Sequence, residues 1–327
     1  LMNKKIGWGI VGLGNIAGKF AGDLALSSEA ELVAVASRDS DKALHFSKEY
    51  GARKAYDTYE ALFEDPEVVV VYIATPHSFH HAQTLAALER GKNVLCEKPL
   101  GINASEVRQM TALAAEKGLF LMEALWSRFN PSIQQVYSLV KNGELGAISY
   151  LRADFAFPAL DRDPEGRLLN PALAGGSLLD IGIYPVFLAY LFLGIPKDIK
   201  VSAHFHTTGA EKQIAMIFDY DEAMAVLYSG FSSRSEMKAE VSCELGSALL
   251  RPPWHHTEHI QWQKDEEIEE VALPLKGSGY FYEIEEVHRC LKAGEQESDL
   301  WSWADSLALH SLLDRVRGLA DIHFPKG

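Results

Sequence analysis

Near its start the chain runs from an apolar stretch, Ile6–Val11, straight into Gly12-Leu13-Gly14-Asn15-Ile16-Ala17. No other feature narrows the fold as much. A strand that ends in GxGxxA and passes into helical apolar spacing, residues 16–26, is the entry turn of a dinucleotide-binding unit. Gly12 permits the tight turn, Gly14 lets the backbone approach a pyrophosphate, and Ala17 lets helix and strand pack closely. Asn15 and Ile16 open the helix, whose free N–H groups face the phosphates. A glycine-rich turn without a ligand has the same letters. Here strand, helix and N-terminal position agree, so dinucleotide binding is the expectation.

The next hundred residues repeat the rhythm. Residues 32–36 read as a strand and 43–50 as a helix. The run from Val68 to Ile73 shows no alternation, which suits a strand covered on both faces. Residues 79–90 read as a helix and 93–96 as a strand. Asn103 and Glu106 stand in capping-box spacing before a helix at 107–117, and 120–123 reads as a last strand. Such units imply a doubly wound parallel sheet, an α/β Rossmann domain over residues 2–123. From residue 124 to 327 the pattern changes. After a helix at 132–141, alternating segments follow at 148–157, 200–207, 213–219, 223–229, 237–244 and 260–263. Helices at 180–193, 283–291 and 304–316 accompany them. This reads as an α+β domain built on a mostly antiparallel sheet with one solvated face. The acidic run at 265–270 reads as a solvated strand edge or turn.

Composition sets limits. A chain of 327 residues suits two domains. Its net charge of −14 makes nucleic acid and anionic membrane surfaces unexpected partners. Cys96, Cys243 and Cys290 are odd in number and form no CxxC pair, so a reducing, cytoplasmic setting is expected rather than a disulfide framework. No signal peptide and no bilayer-spanning apolar stretch are read. Leu1 ahead of Met2 reads as a cloning remnant.

The second strand ends at Ser37-Arg38-Asp39. A site that prefers NAD usually places an acid there for the ribose 2′-hydroxyl. Ser37 takes that place, and Arg38 is suited to a 2′-phosphate, so NADP is favoured with NAD still possible. Asp39, two positions late, blurs the reading.

Four further segments resemble the Gfo/Idh/MocA oxidoreductase family, and the likeness runs along the whole chain. They are Ala74-Thr75-Pro76-His77-Ser78-Phe79-His80, Glu97-Lys98-Pro99, Glu123-Ala124-Leu125-Trp126-Ser127-Arg128-Phe129, and Gly175-Gly176-Ser177-Leu178-Leu179-Asp180-Ile181-Gly182-Ile183-Tyr184. Many members have histidine where Tyr184 stands. The tyrosine resembles the dihydrodiol and xylose dehydrogenase branch of the family, and glucose–fructose oxidoreductase is similar here too. The resemblance implies that Thr75, Pro76, His77 and His80 lie beneath the nicotinamide. It implies an open sheet in the second domain whose face joins copies of the chain into a dimer or tetramer. It also implies a Lys98–Pro99 peptide in the cis form.

Oxidising a secondary alcohol needs a hydride acceptor and a base for the hydroxyl proton. A phenol, with an ordinary pKa near 10, serves only where a neighbouring cation favours the phenolate. By resemblance Lys98 is that cation, Tyr184 the proton carrier, and Asp180, one helical turn before Tyr184, their partner. The expected site is the cleft between the domains. Glu97 orients its neighbours or meets the nicotinamide ribose. Trp126 walls the substrate pocket. Arg128, Arg152 and Arg167 are candidates for a polar substrate, with a surface ion pair as the plainer reading of each. Plainer readings stand beside the others: Lys98 as a surface lysine, Asp180 as a helix cap, Tyr184 and Trp126 as core aromatics. His77, His80 and His81, like His255, His256 and His259, invite a metal, but none is expected. The leading reading is an NAD(P)-dependent enzyme acting on a hydroxyl of a sugar, cyclic polyol or trans-dihydrodiol. The alternative is a non-catalytic sensor of the same fold that binds the cofactor.

Overall fold

Val70–Ile73 (β4) is wholly buried because it is the middle of a layer with helices on both faces. The computed structural model describes residues 5–325, so the reading of Leu1 lies outside the described residues. The strands Ile6–Val11 (β1), Ala30–Ala36 (β2), Lys54–Tyr56 (β3), β4, Asn93–Glu97 (β5) and Leu121–Ala124 (β6) form one parallel sheet in the order β3-β2-β1-β4-β5-β6. That order reverses direction between β1 and β4, the place where such sheets bind ligands. The connecting helices are Asn15–Leu24 (α1), Ser40–Tyr50 (α2), Tyr59–Glu64 (α3), His80–Glu89 (α4) and Ala104–Lys117 (α5). The capping box forms in part: Asn103 Oδ1 accepts from Glu106 N, while the Glu106 carboxylate reaches back to Ile102 N. β3 and α3 are absent from the sequence reading.

The second sheet has the order β14-β13-β12-β11-β7-β10-β9-β8. Its strands are Ile148–Ala156 (β7), Asp198–Phe205 (β8), Glu211–Asp219 (β9), Met224–Gly230 (β10), Ala239–Cys243 (β11), Gly246–Leu250 (β12), His259–Lys264 (β13) and Glu267–Ala272 (β14). Every neighbouring pair is antiparallel except β7 with β10. The acidic run became β14, an exposed edge strand, where like charges discourage pairing with another chain. Pro131–Lys141 (α6), Ile183–Leu193 (α7), Phe281–Ala293 (α8) and Trp303–Ala320 (α9) complete the helices among the described residues.

One expectation is corrected. The stretch Pro171–Leu193 is long and apolar enough to cross a bilayer by length and composition, although the sequence reading found no such run. Its apolar window is 83% buried inside the protein, as a core helix would be.

The chain divides into two compact units. The first comprises the residues up to Trp126 together with Lys276–Leu307, and the second comprises Ser127–Leu275 with the residues from Ala308 onward. The return of Lys276–Leu307 to the first unit has a local cause. Asp23 on α1 accepts hydrogen bonds from the backbone N–H groups of Ser278, Tyr280 and Phe281 and so serves the start of α8 in place of a local cap.

Candidate active site

Gly12 has φ +84°, and a Cβ there would lie 2.5 Å from the backbone at Ala74 and Thr75. Its lack of a side chain lets β1 end against the loop after β4. Gly14 is different. A Cβ on it would meet nothing within 4 Å, and as the N-cap of α1 it offers no side-chain cap. Packing does not require this glycine, so its space and the first N–H groups of α1 are left for a ligand. A pyrophosphate fits that cradle. Asn15 and Ile16 are exposed at the helix start, and Ala17 is fully buried under it. A cavity of about 650 Å³ touches Gly14 and Asn15, with Lys42 and His45 of α2 in its wall.

At the end of β2, Ser37 Oγ accepts from Asp39 N. Asp39 Oδ1 in turn accepts from Lys42 N and caps α2. Asp39 is therefore explained without a ribose. Arg38 is exposed and has no ion-pair partner among the described residues.

The loop after β4 is tied to the loop after β5 by His80, which is fully buried. Its Nε2 faces the Thr75 carbonyl at 2.8 Å and its Nδ1 the Pro99 carbonyl at 2.7 Å. Burial pushes the ring's pKa down, and the two carbonyls act against that. A neutral ring donates to only one of them. His80 thus positions backbone. Thr75 Oγ1 donates to Gln83, and His77 is buried on a short turn. The Lys98–Pro99 peptide is cis. Lys98 is half-buried where β5 ends, and its N–H donates to Glu97 Oε2 at 3.2 Å. The Tyr72 hydroxyl donates to Glu97 Oε1 at 2.5 Å. Tyr72 and the fully buried Glu283 of α8 were not singled out from the sequence. Their only signal is a polar side chain at a core position. Trp126 stacks on Tyr280 with ring centres 4.5 Å apart and planes within 5°.

In the second unit, Asp180 lies on a π turn, Leu178–Gly182, that leads into α7. The sequence reading had one continuous α-helix there. At the start of the π turn Glu211, buried on β9, accepts from Leu178 N. Gly176, at φ +136°, leaves room for that carboxyl, since a Cβ would fall 1.9 Å from Glu211 Oε2. Burial pushes the Glu211 pKa up to about 8, against the pull of hydrogen bonds from Ser177 and Leu178. Such turns are frequent at functional sites. Arg167 pairs with Asp180 at 2.6 Å, joining two candidates that the sequence did not connect. Tyr184 is buried beside Phe155 and His255, at ring distances of 5.6 and 5.2 Å. Arg128 is buried with its guanidinium 5.2 Å from the Tyr137 ring. Arg152 pairs with Glu240, the plainer reading.

Glu29, Glu285 and His288 bring one ligand atom each within 4.8 Å. The Trp8 indole N–H, which only donates, points at His288 Nε2 at 3.0 Å. The ring proton therefore sits on Nδ1, 3.4 Å from Glu285, and the atom that would bind an ion is occupied.

Residues 6–125 match the oxidoreductase family with an NAD-binding Rossmann fold, GFO/IDH/MocA, and residues 133–249 match its C-terminal domain. The chain belongs to this family and is an NAD(P)-binding oxidoreductase. It is 37% identical over 329 residues to the trans-1,2-dihydrobenzene-1,2-diol dehydrogenase of Mus musculus, covering 98% of each chain. The Homo sapiens enzyme of that name is 38% identical over 330 residues, again 98% of each. Among solved structures, KijD10, a 3-ketoreductase from Actinomadura kijaniata in complex with NADP and TDP-benzene, is 27% identical with a TM-score of 0.86, covering 98% of this chain and 100% of that one. An aldose-aldose oxidoreductase from Caulobacter crescentus complexed with glycerol is 25% identical with a TM-score of 0.88, covering 97% and 98%. These relatives are enzymes, and the non-catalytic sensor reading gains no support from them.

Proposed function

We propose that the enzyme is an NADP(H)-preferring dehydrogenase that interconverts a ring CH–OH and its ketone, with a cyclic trans-diol as the favoured substrate and sugars as the next class. The placement of Lys98 carries the reading: it ends β5 at the carboxyl edge of the parallel sheet, its backbone resting on buried Glu97. When bound, the nicotinamide supplies the hydride acceptor. The chain's residues handle the proton. Tyr184 takes it from the substrate hydroxyl as the C=O forms, and Lys98 favours the phenolate and hydrogen-bonds the substrate oxygen. Asp180, held by Arg167, is the third member of this set. Gly12, Gly14, Asn15, Ile16 and Ala17 form the phosphate turn. Ser37 and Arg38 meet the 2′ position. Thr75, Pro76, His77 and His80 shape the nicotinamide floor, with Glu97 beside it. Trp126 is a wall for the substrate ring, and Arg128 is a candidate for a polar group of the substrate.

The full-length likeness to trans-dihydrodiol dehydrogenases supports the substrate class, as do the aromatic rings near Trp126 and Tyr184. A turnover screen of trans-dihydrodiols, aldoses and inositols with both cofactors tests it. The highest kcat/KM is expected for a trans-dihydrodiol with NADP. A clear preference for aldoses would move the enzyme to the second class. No turnover of any of them by a chain that binds cofactor would sink the catalytic reading.

The proposal includes a second copy of the chain on the open face of the eight-stranded sheet. Ile217 and Val226 are cross-strand partners there, with Met224 two residues along, and each is more than a third exposed. Light scattering after gel filtration is expected to report a dimer or tetramer. Ile217→Glu with Val226→Glu is expected to yield the monomer mass, and an unchanged mass would remove this face from the interface.

A further inference from the structure

Three carboxyls inside the first unit are served unequally by donors. Asp23 accepts from three backbone N–H groups, those of Ser278, Tyr280 and Phe281. Glu97 accepts from the Tyr72 hydroxyl on one oxygen and from Lys98 N on the other. Glu283, in the first turn of α8, is fully buried, and neither of its oxygens has a hydrogen-bond partner among the described residues. A bare carboxylate in such a place is far costlier than a neutral acid. Of the three carboxyls Glu283 is the one with no donor to offset a charge, so a proton there removes that cost.

We propose that Glu283 is a positioning residue for the reaction: a proton held on its buried carboxyl leaves Glu97 as the single anion of the pair and so keeps the Lys98 backbone seated. The inference rests on the role proposed for Lys98 and adds a group that never touches substrate. Burial, then the charges of Glu97 and Asp23, hold the Glu283 pKa well above the carboxylate range. The titratable groups around it are Glu97 on β5, Asp23 on α1, Tyr72 on β4 and Tyr280 just ahead of α8. Tyr72, raised first by burial and then by Glu97, stays a phenol. When Glu283 ionises, two carboxylates oppose each other, Glu97 shifts, and the Lys98 peptide shifts with it. A raised folded pKa gives stability that is full below the ordinary carboxyl range and is lost as pH rises through the folded value.

Infrared spectroscopy of the full chain tests the proton directly. In a wild-type minus Glu283→Gln difference spectrum at neutral pH a protonated-carboxyl C=O band is expected, the contribution of Glu211 being common to both proteins. Glu283→Gln, neutral at every pH, is expected to keep neutral-pH turnover. Its alkaline fall in kcat/KM should lie about one pH unit or more above that of the wild type. Glu283→Leu, which fills the site without an acid, serves if the glutamine variant does not fold. Absence of that difference band would overturn the protonated acid. A band with superimposable pH profiles would overturn the positioning role. Full turnover in Lys98→Met with the band present would instead locate the failure in the reading of Lys98.

Discussion

Lys98→Met and Tyr184→Phe are each expected to cut kcat by roughly 10²- to 10⁴-fold, the usual contribution of a placed acid or base. Cofactor affinity should change little in either. The double variant is expected to turn over hardly more slowly than the poorer single one. On the mechanism we propose, both residues serve one proton. Without the phenol the proton has no carrier, and without the ammonium the phenolate that must receive it is disfavoured. Once either is gone, removing the other takes away nothing still in use. The local settings support separate losses of function without loss of fold. Tyr184 is packed by Phe155 and His255, and phenylalanine keeps that packing. Methionine retains most of the stem of Lys98, which is half-buried. Single-turnover rates and cofactor titration on the three variants decide the matter. Additive losses would separate the two roles. Near-normal turnover in Tyr184→Phe would take the tyrosine off the proton path and leave Lys98, directly or through water, to carry it.

The parallel sheet was legible because its strands are short apolar runs, and β1 matches its predicted bounds end to end. β3 and α3 escaped because three and six residues are too few to show a period. β12 escaped because it opens Gly-Ser-Ala. β14, Glu-Ile-Glu-Glu-Val-Ala, shows no alternation and is half glutamate, so it reads as an acidic edge or turn. The π turn at Asp180 was hidden for another reason. The residue that holds its start, Glu211, lies far along the chain. The same holds for the site. Gly12, Gly14, Lys98 and Tyr184 are named by local motifs, whereas Tyr72 and Asp23 are bonded to partners 25 and 258 residues away. Spacing within a motif does not encode such contacts. Asp39 shows the converse: an ambiguous acid became a helix cap once its bond to Lys42 N was seen.

Arg38→Ala is expected to weaken NADP binding about tenfold or more and to leave NAD nearly unchanged. A hydrogen bond to a charged group contributes about 1.5–3 kcal/mol, and about 1.4 kcal/mol is a factor of ten. Exposure at the end of β2 favours the low end of that range, because solvent screens the pair. Two local facts make Arg38 ready for a 2′-phosphate. It has no ion pair among the described residues to give up, and the adjacent acid, Asp39, is committed to α2. A guanidinium stays charged at any working pH and presents a planar fork that matches phosphate oxygens. Added salt should therefore weaken NADP more than NAD in the wild type and lose that difference in the variant. Fluorescence titration with both cofactors at two salt concentrations measures all of this. Equal losses for NADP and NAD in Arg38→Ala would mean that the arginine shapes the turn, and the preference for NADP would have to come from elsewhere in the chain.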